Sequence, residues 1–182
     1  MPYDPQVHHR RSIRLKGYDY ASAGAYFVTL CTHERQSLLG QVNEGEMHLS
    51  AYGLIVRACW EDLPRHYLGL ELDAFVVMPT HVHAILVLAQ TEEEGRATAE
   101  ASARYPLSEV IRGFKTYSAR RINKRRDTRG NAVWQRNYYE RIIRNERELE
   151  AIRAYIESNP AQWAQDRERA DREPEPGPVP KP

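Results

Sequence analysis

The sequence predicts an α+β fold in which helices pack on one face of an antiparallel sheet. Two apolar runs of strand length, residues 70–78 and 81–88, are separated only by Pro79 and Thr80. A connection this short joins antiparallel neighbours, because parallel strands require a crossover of a dozen or more residues. Amphipathic helical stretches lie on both sides of this pair, which predicts the element order βα ββ α β α and a sandwich of helices on a sheet.

The chain before this pair predicts a first strand and a first helix. Residues 26–32 are rich in β-branched and aromatic side chains, which favour strands, and residues 42–49 suit one short strand. Ser50 is a favourable N-cap for a helix that runs to about Leu63 and ends at Pro64. Its buried stripe is predicted from apolar residues at helical spacing, namely Leu54, Ile55, Ala58, Cys59 and Leu63.

The chain after the pair predicts two helices around an extended segment. Residues 90–104 are polar and are expected to form a flexible surface loop, and Ser108 begins a strongly amphipathic helix. Val133-Trp134 predicts a fourth strand or an extended segment. Asn145 to Glu148 have capping-box spacing and open a last helix. Pro160 is expected to end that helix.

Length and composition indicate one globular domain with two flexible ends. The chain has 182 residues, of which 41% are hydrophobic and 28% are charged, as in ordinary globular proteins. We expect a basic N-terminal arm over residues 1–20, a folded domain over residues 21–166 and a disordered proline-rich tail over residues 167–182.

The sequence carries no signal for export or membrane insertion. Cys31 and Cys59 form neither a C-x-x-C motif nor a disulfide framework, which suits a reducing compartment. No apolar stretch resembles a signal peptide, and none has membrane-spanning length. We therefore expect a soluble, cytoplasmic protein with no membrane partner.

Charge is distributed unevenly along the chain. The net charge is only +1, yet residues 111–147 hold twelve Lys or Arg and three acidic residues, whereas residues 21–110 hold five and twelve. A basic stretch on a near-neutral protein is typical of a surface that binds a polyanion. A solvated helix face with salt bridges is the alternative, but the shortage of acidic partners within the segment favours nucleic acid.

A pair of histidines gives the first indication of chemistry. His81 and His83 are separated by one residue in a predicted strand, so both side chains point to the same face of the sheet. Two adjacent imidazoles form half of a typical metal site. Two polar residues satisfied by hydrogen bonds at a sheet margin would give the same pattern.

Two residues of the last helix extend this cluster. Tyr155 and Asn159 lie four residues apart and share one helix face. If that face meets the histidine strand, two imidazoles and an amide oxygen can hold a divalent cation, and the phenol can act as a nucleophile. A buried core tyrosine and an ordinary helix exit are the alternatives for these two residues. Tyr138 and Tyr139 remain rival nucleophiles, or aromatics for base stacking or core packing.

Several motifs occur together over about residues 10–165. They are Arg11-Ser-Ile-Arg-Leu-Lys-Gly-Tyr-Asp-Tyr20, Gly24-Ala-Tyr-Phe-Val-Thr-Leu-Cys-Thr32, Val77-Met-Pro-Thr-His-Val-His-Ala84, Ile111-Arg-Gly-Phe-Lys115, Val133-Trp-Gln-Arg-Asn-Tyr-Tyr-Glu-Arg141 and Tyr155-Ile-Glu-Ser-Asn-Pro160. In content and order they resemble the REP-associated tyrosine transposases, a group within the single-tyrosine HUH transposase superfamily.

The resemblance implies a fold, a reaction and roles for single residues. The implied fold is the ferredoxin-like HUH domain, whose C-terminal helix carries the catalytic tyrosine. His81 and His83 match the HUH pair, Tyr155 matches that tyrosine, and Asn159 matches the third metal ligand. The family cuts and rejoins single-stranded DNA near hairpins through a 5′-phosphotyrosine and a free 3′-OH, with Mg²⁺ or Mn²⁺ as cofactor. A monomer or a homodimer is compatible with this chemistry.

The basic segments then acquire a role as DNA-binding surfaces. Positive charge on a helix stripe or an arm holds the phosphate backbone. On the helix we expect DNA contacts from Arg112, Lys115, Arg120, Arg121 and Lys124. On the arm, which resembles the family's DNA-contacting N-terminus, we expect them from Arg10, Arg11, Arg14 and Lys16.

Two other functions remain open from the sequence. A relaxase-like or replication-initiator nickase would use the same chemistry, but usually in a longer chain with further tyrosines or helicase partners. A domesticated DNA- or RNA-binding protein with a vestigial site would bind hairpins without cutting them. The presence of all four site residues disfavours that interpretation.

Overall fold

The structure is a computed structural model of the chain, of which residues 24–89 and 105–172 are described. The predicted arm and the predicted loop over residues 90–104 lie outside these ranges. Two 3₁₀ turns, His33–Arg35 and Leu63–Arg65, accompany the helices and strands. In chain order the elements are β1 (Gly24–Cys31), β2 (Gly40–Asn43), β3 (Glu46–Leu49), α1 (Ala51–Glu61), β4 (Leu70–Met78), β5 (His81–Leu88), α2 (Leu107–Arg125), β6 (Tyr139–Ile143) and α3 (Glu146–Arg172).

The main sheet has four strands in the order β4-β5-β1-β6, and every neighbouring pair is antiparallel. The hairpin β2–β3 forms a separate two-stranded sheet between β1 and α1. Without this hairpin, the order of elements is the βαββαβ pattern of ferredoxin-like folds, followed by α3. The predicted α+β class and the antiparallel pairing of β4 with β5 are confirmed.

One strand prediction is wrong, and one choice between two alternatives is resolved. The predicted single strand over residues 42–49 is a hairpin, because Glu44 and Gly45 adopt positive φ angles of 52° and 78° and turn the chain. Of the two alternatives for Val133-Trp134, the structure has the extended segment, in which Trp134 makes an isolated bridge with Thr32. The fourth strand of the main sheet is β6, which pairs with β1.

Helix starts follow local capping chemistry. Ser50 is the N-cap of α1, and its hydroxyl accepts hydrogen bonds from the backbone N–H groups of Tyr52 and Gly53 at 3.1 Å each. Asn145 caps α3 in the same way, through a 2.9 Å bond from the N–H of Glu148. α2 begins at Leu107, one residue before the predicted start, with Pro106 in the cap position.

Helices cover both faces of the sheet, which corrects the prediction of a single covered face. Tyr26, Val28 and Leu86 belong to the core cluster that includes residues of α1 and α2. Phe27 and Ile85 project to the other face and pack with Ile156 of α3. Because β5 and β1 are central strands with apolar side chains on both faces, each face requires a cover. The histidine pair lies on the α3 face.

α3 passes through Pro160, where the sequence predicted its end. Proline removes the hydrogen bond to the carbonyl of Ile156, four residues earlier. Side chains on both sides of Pro160 contact the sheet: Ile156 is buried, and Trp163 lies 5.6 Å from His81 between ring centroids. These tertiary contacts hold the helix together, and it continues to Arg172. The tail predicted for residues 167–182 therefore begins within α3, and residues 173–182 lie outside the described ranges.

Candidate active site

His81 and His83 stand side by side at the start of β5. Each side chain is only 7% exposed, and the ring centroids are 4.5 Å apart. A threonine hydroxyl holds Nδ1 of each ring: Thr80 Oγ1 lies 3.1 Å from His81 Nδ1, and Thr29 Oγ1 lies 2.8 Å from His83 Nδ1. When each Nδ1–H donates to its threonine, a tautomer assigned from this geometry, both Nε2 lone pairs are left for a metal or a proton.

Burial keeps both imidazoles neutral. Loss of solvation, together with a smaller contribution from the positive charge of Arg35, lowers the pKa of His81 to about 4. Desolvation lowers the pKa of His83 to about 3, with an additional contribution from His81. A neutral imidazole is the form that binds metals, so both rings are ready to act as ligands at neutral pH.

Tyr155 projects from α3 onto this histidine pair. Its phenolic oxygen lies 3.3 Å from Nε2 of His83, and the two ring centroids are 5.3 Å apart. Phe27 packs under both rings, stacked with His83 and edge-on to Tyr155. Tyr155 is nevertheless 41% exposed, so an extended substrate can reach its hydroxyl.

Tyr155 separates two cavities. One of about 400 Å³, here called the histidine cavity, is lined by Thr29, Cys31, Arg35, His81, His83, Tyr155, Asn159, Gln162 and Trp163. The other, of about 370 Å³ and here called the tyrosine cavity, is lined by Phe27, Thr29, His83, Tyr139, Arg141, Ile152 and Tyr155. The structure thus brings together all four residues that the sequence assigned to the catalytic and metal site.

The donor set of the histidine cavity fits a divalent cation. Two neutral imidazoles and the amide of Asn159, which is 7% exposed, provide nitrogen and oxygen ligands in one cavity. Within the described ranges no group of three His, Cys, Asp or Glu residues is placed to hold a metal ion. Any metal here therefore uses the amide oxygen or solvent as further ligands. Imidazole ligands suit Mn²⁺ better than Mg²⁺, which prefers oxygen.

The rival tyrosines occupy different surroundings. Tyr138 packs at the edge of the α1–α2 core, with the ammonium of Lys115 5.4 Å from its ring centroid. Tyr139 belongs to β6 beside Thr29 and lines the tyrosine cavity. Of the three tyrosines, Tyr155 is the one with a hydrogen-bond distance to a site histidine.

The basic residues of α2 lie on the opposite face of the sheet from the histidines. Arg112, Arg120 and Lys124 are exposed on the helix that covers the α1 side of the core. Arg121 is also exposed, but it lies 5.8 Å from the ring of Tyr117 and 3.7 Å from the sulfur of Cys59. DNA contacts by these four residues therefore remain a prediction, and any such contact lies away from Tyr155.

The structure gives Lys115 partners within the protein, and its DNA contact stays a prediction. Its ammonium donates 2.9 Å hydrogen bonds to the backbone carbonyls of Gln135 and Asn137. Burial lowers the pKa of this group to about 8. The side chain ties α2 to the segment before β6, so its charge is engaged within the protein.

Sequence reasoning missed the cation that lines the histidine cavity, Arg35. This residue is exposed, and both Glu34 and Arg35 adopt positive φ angles, 52° and 53°. Non-glycine residues rarely adopt this conformation, and such strain clusters at functional sites. Gln162 and Trp163 were missed because Pro160 was taken as the end of the helix. The indole Nε1 of Trp163 is buried without a hydrogen-bond partner among the described residues.

The sheet carries an imidazole pair beneath a tyrosine of α3, and comparison with known proteins identifies the family with this arrangement. Residues 22–159 match the family described as "Transposase IS200 like". The chain therefore belongs to the IS200-like transposase family. The resemblance to REP-associated tyrosine transposases stated from the sequence is confirmed.

Two proteins of Haemophilus influenzae and one solved structure are similar to the chain. An uncharacterized protein is 38% identical over 176 residues, which are 90% of this chain and 95% of that protein. A second, whose name provisionally assigns it to the REP-associated tyrosine transposases, is 24% identical over 78% of this chain and 73% of its own. The structure of a REP-associated tyrosine transposase bound to a REP hairpin has a TM-score of 0.56 at 21% identity, over 85% of this chain and 73% of that chain, and supports the fold.

The described residues contain no helix with the length and apolar character needed to cross a membrane.

Proposed function

We propose that this protein is a metal-dependent single-stranded DNA endonuclease and strand transferase that acts beside hairpins through a phosphotyrosine at Tyr155. One observation carries the proposal: the phenolic oxygen of Tyr155 lies 3.3 Å from His83 Nε2, at the mouth of a cavity shared with His81 and Asn159. A nucleophile beside ligands that can hold a cation is an arrangement that covalent catalysis uses, because a nearby cation favours the phenolate.

The reaction begins with activation of the phenol. A tyrosine hydroxyl has a pKa of about 10 and is largely protonated at neutral pH. That proton passes to solvent as the phenolic oxygen attacks phosphorus, because a His83 Nε2 that holds the metal cannot also accept it. A Tyr–O–P bond forms, the P–O3′ bond breaks, and the leaving 3′ oxygen takes up a proton. The products are a 5′-phosphotyrosine and a free 3′-OH.

The family relation makes rejoining part of the proposal. Phenolate leaves phosphorus more readily than an alkoxide, because it is much the weaker base. A 3′-OH can therefore attack the phosphotyrosine, restore a phosphodiester and return the proton to Tyr155. No ATP is needed, because the Tyr–O–P bond conserves the reactivity of the cleaved bond.

Mg²⁺ or Mn²⁺ held by His81, His83 and Asn159 would supply a Lewis acid that polarises a non-bridging phosphate oxygen. Arg35 lies in the same cavity and adds positive charge to it. The hairpin as target is supported by the fold relative whose structure contains a REP hairpin. Tyr155 contacts a histidine of its own chain, which supports cleavage by a single subunit.

The test is a denaturing gel of the full-length protein with labelled hairpin DNA that carries single-stranded flanks. Wild-type protein should form a covalent adduct with Mg²⁺ or Mn²⁺ and none with EDTA. Tyr155→Phe should form none while it retains hairpin binding. Tyr139→Phe is the matched control and should still form the adduct. An adduct that survives in Tyr155→Phe but is lost in Tyr139→Phe would transfer the nucleophile to Tyr139.

A domesticated binding protein would give a different result in the same experiment. Wild-type protein would bind hairpins tightly, with or without EDTA, and would form no adduct with either metal.

A further inference from the structure

The tyrosine cavity is the part of the site that the cleavage chemistry does not use. It shares Thr29, His83 and Tyr155 with the histidine cavity, so the nucleophile stands between the two. The cleaved phosphate has one nucleoside on each side along the strand. With phosphorus at the Tyr155 hydroxyl, the tyrosine cavity is within reach of one of these nucleosides.

The walls of this cavity suit a nucleobase. Phe27 and Tyr139 supply aromatic rings with centroids 6.1 Å apart, and Ile152 adds an aliphatic surface. Among the described residues, Tyr139 and Tyr155 are two of only five large hydrophobic side chains that are exposed, each at 41%. An exposed aromatic ring on a sheet is the usual platform for stacking single-stranded bases.

A cation at the cavity completes the recognition chemistry. Arg141 follows Tyr139 on the same face of β6 and also lines the cavity. Its Nη2 contacts Glu148 Oε1 at 2.5 Å, while 57% of its side chain remains exposed. This ion pair holds the guanidinium beside the aromatic walls, where its exposed part can contact a phosphate.

We propose that the tyrosine cavity is a nucleobase-binding subsite that takes the base of a nucleotide next to the cleaved phosphate and stacks it on the ring of Tyr139. The inference deepens the proposed function and rests on it. It gives Tyr139 a role in substrate positioning, and it predicts that the protein is sensitive to the nucleotide at one position beside the cut.

The test combines Tyr139 variants with abasic substitutions. Binding of full-length protein is measured by fluorescence anisotropy in EDTA, with a labelled hairpin whose single-stranded flank carries one abasic site at each position in turn. Tyr139→Ala should weaken binding to the intact flank by about 5-fold to about 100-fold, the range expected for one stacked base. When the abasic site is at the position whose base stacks on Tyr139, Tyr139→Ala and the wild type should bind the hairpin with equal affinity, and this should occur at one position only. Tyr139→Phe should bind the intact flank like the wild type.

Controls separate stacking from damage to the fold. Tyr117→Ala removes a ring of similar exposure from α2 and should show no position-specific loss. Tyr139→Leu keeps bulk without a π face and should behave like Tyr139→Ala, while thermal melting confirms that both variants fold. The inference is overturned if Tyr139→Ala binds as tightly as the wild type, if its loss persists at every abasic position, or if Tyr139→Phe loses as much.

The adduct assay on the same oligonucleotides distinguishes this inference from the proposed function. If the adduct forms and neither binding nor adduct formation depends on the Tyr139 ring, the nucleobase subsite is contradicted and the endonuclease activity is supported. If binding depends on the Tyr139 ring at one flank position but no adduct forms, the endonuclease activity is contradicted and the cavity is a site for base binding alone.

Discussion

At the scale of single residues, Thr29 is the support on which the histidine site depends. Its hydroxyl lies 2.8 Å from Nδ1 of His83 and leaves Nε2 directed toward Tyr155. Replacement of such a partner typically weakens metal affinity by about 10- to 100-fold. We expect Thr29→Val to raise the Mn²⁺ concentration needed for adduct formation by that factor, measured by metal titration.

Thr116→Val is the matched control, because Thr116 donates its hydroxyl to a backbone carbonyl on the exposed side of α2. Its metal titration should coincide with that of the wild type. An unchanged midpoint in Thr29→Val would show that the threonine does not orient the ligand.

Lys115, also at the scale of single residues, is a basic side chain whose ammonium binds backbone carbonyls of the protein itself. Because its ammonium donates to the carbonyls of Gln135 and Asn137, Lys115→Met should lower the free energy of unfolding by about 1–2 kcal/mol. Lys124→Met, on the exposed surface of the same helix, should leave stability within about 0.5 kcal/mol of the wild type. Denaturant titration of both variants decides whether Lys115 is structural.

At the scale of elements, α3 must hold Tyr155 over the sheet. Arg153 donates to both carboxylate oxygens of Asp73 on β4, at 2.9 and 2.5 Å, and holds the pKa of that carboxyl below its usual range. A partly exposed pair adds little stability, about 1 kcal/mol or less. Asp73→Asn should nevertheless slow adduct formation by about 10-fold or more, because small misplacements of a nucleophile are costly.

The charge-swapped pair Asp73→Arg with Arg153→Asp should recover part of that rate. Glu146→Gln is the control, since Glu146 contacts Arg153 only at 3.6 Å. Single-turnover rates at saturating DNA provide the measurement. Equal rates in all of these variants would show that the ion pair does not position the nucleophile.

Element prediction from the sequence succeeded where local signals sufficed. The Ser50 cap, the Pro79-Thr80 connection and the spacing of Tyr155 and Asn159 are short-range features, and each has the predicted consequence. It failed where distant contacts decide the outcome. The β6 segment is polar in sequence because Glu140 and Arg141 interrupt it, and it becomes a strand by pairing with β1. Pro160 remains helical because the side chains around it pack on the sheet.

At the scale of the whole molecule, the main sheet lies between the basic residues of α2 and the candidate active site. The α2 residues lie on the α1 side, whereas Tyr155 and the histidines lie on the α3 side. Helical spacing in the sequence predicts which basic residues are neighbours on α2. It does not predict which face of the sheet α2 covers, because that depends on tertiary packing. Arg35, in contrast, lies in the histidine cavity.

These positions predict two separable effects on DNA. Arg35→Ala should slow adduct formation at saturating DNA, because it removes positive charge beside the reacting phosphate. The double variant Arg120→Ala with Lys124→Ala should leave that saturated rate unchanged. The double variant should instead bind DNA more weakly. The slope of the logarithm of the binding constant against the logarithm of the salt concentration should decrease in magnitude by about 0.7 for each phosphate of the single strand that the variant no longer neutralises. Single-turnover kinetics at several salt concentrations measure both quantities. If the double variant has the affinity and the salt dependence of the wild type, α2 does not contact DNA. If its rate at saturating DNA is reduced, the DNA contacts α2 and also affects the reaction on the other face of the sheet.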